Sequence, residues 1–172
     1  MFQKLLFISC LALWIPTSVV LSQTNASVFP AAIAGVWDGS LEYIDYQNGQ
    51  TVQLPVQAQL WRSGMGVRLI LNPVFTEPNG KKLEWLNVLL YDPKTQTIDF
   101  DHKEVYRVET FSATDSTLKM ILYKDGEDND KKALIRYTLT WERNTLNTSE
   151  EYQYPNTAFK LRNRFILKRR NQ

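Results

Sequence analysis

The sequence predicts an all-β fold: an antiparallel, up-and-down β-barrel of eight to ten strands. Three observations predict it. Apolar and polar residues alternate with period two through most of the chain. The alternating runs recur at even spacing, joined by short turns rich in Gly, Pro, Asn and Asp. Beyond the N-terminal leader no stretch keeps a helical period, apart from a short turn at "VFPAAIAG". Sequential hairpins with one apolar face pack as a sandwich or as a barrel without edges. A regular meander without long crossovers favours the barrel.

The chain opens with a different grammar. "MFQKLLFISCLALWIPTSVVLSQ" has one lysine, Lys4, an apolar run to about Ile15, and small or polar residues near Val20 and Ser22. This is the pattern of a secretory signal peptide. The run is shorter than the roughly 20 residues a spanning helix needs, and Pro16 interrupts it. Residues 1–22 are therefore read as a removed leader, 23–33 as a lead-in, and 34–170 as one barrel domain. Cys10 is the sole cysteine and lies in the leader. It follows Phe7-Ile8-Ser9 rather than the leucine-bearing run of a lipoprotein site, so it is read as an ordinary leader residue. An exported chain without disulfides fits the periplasm or exterior of a Gram-negative bacterium. The composition, 44% hydrophobic and 22% charged, is globular. The 20 basic and 18 acidic residues nearly balance, which gives no electrostatic basis for a nucleic-acid partner.

The strands follow in order. "GVWDGSLEYI" puts Trp37, Leu41 and Tyr43 on one face, with Gly39 leaving room for a close neighbour. Asn48-Gly49 predicts a type I′ hairpin turn, which needs positive φ at both residues. "VQLPVQAQL" then sets Val52, Leu54, Val56, Ala58 and Leu60 against outward Gln53, Pro55, Gln57 and Gln59. "VRLIL", with Leu69 and Leu71, follows "SGMG", and "LEWLNVLLY" reads as one strand after "EPNGKK". "TIDF" and "VYRVETF" flank a charged break. "TLKMILY" presents Leu118, Met120 and Leu122, and "KDGEDNDKK" reads as a charged loop. "ALIRYTLTW" aligns Ile135, Tyr137, Leu139 and Trp141. The final run, "FKLRNRFILKR", sets Phe159, Leu161, Phe165 and Leu167 against Lys160, Arg162, Arg164 and Lys168.

Gly35-Val36-Trp37 at the start of the first strand and the basic-aromatic last strand "RNRFILKRR" form a recognisable pair. The chain resembles the calycin superfamily, the lipocalins and fatty-acid-binding proteins. The Thr-Asp-Tyr signature of typical lipocalins is absent, so the resemblance is to an outlying, bacterial member. It implies that Gly35 and Trp37 plug the closed base, with Arg164 or Arg169 packed over the tryptophan. It also implies a lumen suited to a small apolar molecule. The candidate lumen residues are Leu41, Tyr43, Leu54, Val56, Leu69, Met120, Tyr137, Leu139 and Phe165. Tyr43, Tyr137 and Arg68 are candidates for polar contacts at the mouth. A barrel filled by these same side chains fits the pattern as well.

Few residues carry other chemistry. His102, the single histidine, stands in "DFDHKE" near Asp99, Asp101 and Glu104. One imidazole with scattered carboxylates is a poor zinc set, and the sequence there reads as a polar turn. Some haem-binding barrels of the superfamily open with Gly-x-Trp-x-Gly, here Gly35, Trp37 and Gly39. Their haem histidine lies near the C-terminus, where this chain has none, so no metal or cofactor is expected. Asp125, Glu127, Asp128 and Asp130 offer hard oxygens without the spacing of a calcium loop. No serine sits in a Gly-x-Ser-x-Gly elbow, and no phosphate loop or dinucleotide fingerprint appears. Asn25-Ala26-Ser27 and Asn147-Thr148-Ser149 fit a glycosylation sequon, which matters only in a eukaryotic host.

The expectation is a secreted or periplasmic, non-enzymatic barrel that binds a small hydrophobic ligand, with no integral membrane segment after processing. The alternative is a filled barrel that serves as an envelope interaction or structural protein. Its outer face would then matter, through the basic last strand and Trp61.

Overall fold

The computed structural model describes residues 28–170. The leader, Cys10 and the Asn25 sequon lie outside the described residues. Eleven strands form: β1 Gly35–Ile44, β2 Thr51–Ser63, β3 Arg68–Thr76, β4 Lys82–Glu84, β5 Asn87–Asp92, β6 Thr97–Phe100, β7 Glu104–Ala113, β8 Thr117–Asp128, β9 Lys131–Glu142, β10 Thr145–Gln153 and β11 Lys160–Arg169. Ten of them close an antiparallel up-and-down barrel, in which each strand pairs with its chain neighbour and β11 returns to β1. β4 stands outside that ring, a short flap paired with Val74–Thr76 of β3. Closure removes the sheet edges that would otherwise expose unpaired amides and carbonyls. Among the described residues no helix is long and apolar enough to cross a membrane.

The period-two pattern is what directs side chains inward. Trp37, Leu41, Leu54, Val56, Leu60, Leu69, Leu71, Leu118, Met120, Leu139 and Leu167 form one buried cluster on the inner face. The base is closed by the lead-in, whose Phe29 amide donates to the Gly66 carbonyl at 2.9 Å. Trp37 is fully buried, and its indole N–H donates to the Ile33 carbonyl at 3.3 Å. The Arg169 guanidinium lies 4.5 Å from the Trp37 ring and donates to the Ala34 carbonyl at 2.8 Å and to the Ala32 carbonyl. Gly39 is required beside it, because a Cβ there would sit 2.0 Å from the Ile166 carbonyl oxygen of β11.

Four local expectations are corrected. The β1–β2 connection is longer than a two-residue turn: the Asp45 amide donates to the Gln50 carbonyl, the Gly49 amide to the Asp45 carbonyl, and only Gly49 of the Asn-Gly pair has positive φ. The Asp45 carboxylate, accepting from the Gln47 amide and the Asn48 side chain, holds this wider loop. "KDGEDNDKK" is mostly strand, since β8 and β9 run on to a two-residue turn at Asn129 and Asp130, both at positive φ. "LEWLNVLLY" is two strands, because β3 pairs its upper half with β4 and its lower half with β5, leaving Trp85-Leu86 at the jog.

The fourth correction concerns the last strand. Glu150 pairs with Asn163 while Glu151 pairs with Leu161, so Arg162 is an extra residue on β11. Such a bulge inverts the in–out alternation beyond it. Phe165 and Leu167 point inward as expected, whereas Phe159 packs beside Tyr123 and Arg136 on the outer side. Arg164 stays outside in an ion pair with Glu42 at 2.8 Å, so Arg169, not Arg164, covers Trp37.

Candidate functional site

The loops after β1, β3, β6, β8 and β10 gather at the end of the barrel opposite Trp37. A cavity of ≈ 280 Å³ opens there, lined by Leu41, Tyr43, Leu54, Phe75, Leu83 and Trp85, with Glu77, Arg162 and Asn163 at its polar side. Alternation on β1 and β2 delivers Leu41, Tyr43 and Leu54 from below. Phe75 on β3 packs its ring edge-on against Trp85, centroids 4.5 Å apart. The β4–β5 jog supplies Trp85, whose amide donates to the Pro73 carbonyl at 3.1 Å. The bulge turns Arg162 to the mouth, where it donates to the Ile44 carbonyl at 2.6 Å and stacks 3.3 Å from the Tyr46 ring centroid. The result is an apolar cleft with a few polar groups at its rim, the chemistry of small-molecule sites.

A polar layer borders the cavity through Asn163. Its amide donates to Glu150 at 2.7 Å, and Glu150 also accepts from the Tyr152 hydroxyl at 3.1 Å. Across the mouth, Lys124 pairs with Glu104 at 2.6 Å, and the Tyr106 hydroxyl donates to the same carboxylate at 3.3 Å. Phe100, Tyr106 and Tyr137 pack around one another with centroids 5.5 to 6.5 Å apart. Burial pushes the Tyr106, Tyr137 and Tyr152 hydroxyls above their ordinary range, and the nearby Glu150 carboxylate adds to this in all three. They remain neutral at any physiological pH.

Below this layer the barrel is packed. Met120, Leu122, Ile98, Leu146 and Leu167 are 0% exposed, so no water-sized space touches them. Of the nine candidate lumen residues, Leu41, Tyr43 and Leu54 line the cavity. Val56, Leu69, Met120, Leu139 and Phe165 belong to the packed core, and Tyr137 packs against it beside Phe100. Arg68 is exposed on the outer face, away from the mouth, because it alternates with inward Leu69. Trp61 also faces outward, half-buried opposite Ile70. The sequence reading missed Phe75, Leu83, Trp85, Glu77, Arg162 and Asn163. The "PNG" turn and the interrupted "LEWL" run were the available signals for Leu83 and Trp85. Nothing in the sequence marks the bulge that brings in Arg162.

A larger cavity of ≈ 660 Å³ lies between the β8–β9 tip and the β10–β11 loop. Its lining mixes Asp125, Glu127, Lys132, Gln153 and Asn156 with Ala133, Leu134 and Pro155, and it is more open to solvent than the mouth cavity. Tyr154 spans it, donating to Asp128 at 2.5 Å. His102 stands at positive φ in the β6–β7 turn, with Nδ1 3.0 Å from Asp99. Among the described residues no group of three or more His, Cys, Asp or Glu side chains is arranged to hold a metal ion.

No family model and no curated protein sequence matches the chain. Among solved structures, the crystal structure of Rv2717c from M. tuberculosis is similar, with a TM-score of 0.53 and 14% identity over 82% of this chain and 94% of that one. At that identity the likeness shows a shared barrel fold and nothing finer. The described residues thus form a closed ten-stranded antiparallel barrel, plugged at one end by Trp37 and hollow at the other.

Proposed function

We propose that the chain is a secreted or periplasmic, non-enzymatic, calycin-like barrel that binds one small hydrophobic ligand at its mouth. The apolar cavity bounded by Leu41, Leu54, Phe75, Leu83 and Trp85 carries this reading. Its ≈ 280 Å³ lies just under the roughly 300–1,000 Å³ of typical ligand sites, which favours a compact ligand over a long chain. Affinity comes from apolar burial, at about 25 cal/mol per Å². Glu77, Arg162 and Asn163 orient whatever polar group the ligand carries.

Calycin membership is supported by Gly35 and Trp37 under Arg169 at the base. Export is supported by the leader grammar of residues 1–22. The non-enzymatic reading rests on the sequence, in which no serine sits in a Gly-x-Ser-x-Gly elbow. One observation favours a second reading. The packed lower lumen is what a filled barrel acting through its outer face would have.

Native mass spectrometry of the protein purified from its own source separates the two. The ligand reading expects the mass of one small molecule above that of the chain, lost on mild activation. A bare chain that also fails to take up any apolar probe leaves the filled barrel.

A further inference from the structure

We infer that the rim beside the mouth cavity docks on a lipid bilayer, so that the ligand passes between membrane and cavity without crossing water. The inference rests on the ligand reading above and adds the source of the ligand. Trp85 is 50% exposed, Leu86 57% and Tyr46 47%, and it is their grouping, not the exposure of each alone, that marks an interaction surface. They border one opening. Trp85 is itself a cavity wall, Leu86 follows it at the β4–β5 jog, and Tyr46 lies under Arg162 on the opposite wall.

Trp and Tyr combine an apolar body with a polar edge, and this suits them to the headgroup boundary of a bilayer. The charges beside them complement lipid phosphates. Lys81 and Lys82 are exposed on the same connection as Trp85, and Lys160 is exposed two residues before Arg162. Of the rim carboxylates, Glu84 accepts from the Asn72 amide at 2.7 Å, Asp45 from its own loop, and Glu77 lines the cavity itself. A few apolar anchors ringed by lysines give reversible interfacial binding rather than insertion.

The test is sedimentation of the full chain with vesicles of phosphatidylglycerol and phosphatidylcholine, read beside uptake of N-phenylnaphthylamine in vesicle-free solution. The expected result is co-sedimentation, with tryptophan emission quenched by lipids brominated in the acyl chain. Leu86→Asp is expected to weaken vesicle binding about tenfold or more while leaving probe uptake unchanged, because Leu86 does not line the cavity. Met65→Asp, at a still more exposed apolar residue between β2 and β3 at the base end, is expected to change neither. Docking is overturned if the wild type takes up the probe yet ignores vesicles, as it would if the rim served a protein partner. It is overturned equally if Met65→Asp, at the base end, weakens vesicle binding as much as Leu86→Asp. Vesicle binding that depends on Leu86 without probe uptake upholds docking and removes the ligand reading instead.

Discussion

Trp37 and Arg169 illustrate how much one contact at the base carries. The indole is fully buried, the guanidinium covers its face, and both are tied to lead-in carbonyls. Trp37→Ala would leave a large void at the closed end, and a loss of about 3–5 kcal/mol is expected in urea unfolding. Arg169→Met keeps the stem but strands the Ala34 carbonyl, with an expected loss of about 1–3 kcal/mol. The two glycines of the first hairpin should differ sharply. Gly39→Ala drives a methyl into the Ile166 carbonyl and should cost about 3 kcal/mol or more. Gly49→Ala meets nothing within 4 Å and should cost only the roughly 1–2 kcal/mol of a positive φ. Thermal melts that ranked the pair the other way would mean that β1 and β11 are not in the described register.

At the scale of the element, legibility follows register. β2, β9 and β8 as far as Tyr123 read correctly because a half-buried strand must alternate, and each pairs in unbroken register along most of its length. β11 read correctly only from Phe165 onward. The bulge at Arg162 is a backbone choice with no residue signature, and it reverses which side chains face the mouth. The β4–β5 jog was hidden for a related reason: "LEWLNVLLY" is apolar but for Glu84 and Asn87, so no regular alternation marks where pairing shifts along β3. These two irregularities supply Trp85 and Arg162, which is why the cavity was the least legible part of the molecule. The tyrosines of the mouth give a prediction at this scale. Their hydroxyls have raised pKa values in the fold, so their contribution is whole below the unfolded value of about 10 and is lost as pH rises above it. Urea midpoints should be flat from neutral pH to about 9 and fall beyond it. Tyr137→Phe should flatten that alkaline fall, and an unchanged fall would place the ionising groups elsewhere.

For the whole molecule, the barrel and its inward face were legible because binary patterning is set by burial, which every strand obeys. The division of that interior into a packed base and a hollow mouth was not. Apolar side chains read alike whether they touch one another or a ligand, and only their three-dimensional spacing tells the two apart. Met120, Leu139 and Leu41 share one sequence pattern and one buried cluster, yet only Leu41 also lines the mouth cavity. The central claim, that this mouth cavity holds one small hydrophobic molecule, is tested most directly by titrating the wild type and Leu54→Trp with N-phenylnaphthylamine. Melting curves of both proteins show that each is folded. The account predicts saturable one-to-one uptake by the wild type, and a loss of at least about tenfold in Leu54→Trp, whose added ring fills the space beside Phe75 and Trp85. Uptake of equal strength by a folded Leu54→Trp protein, or none by the wild type, would contradict it.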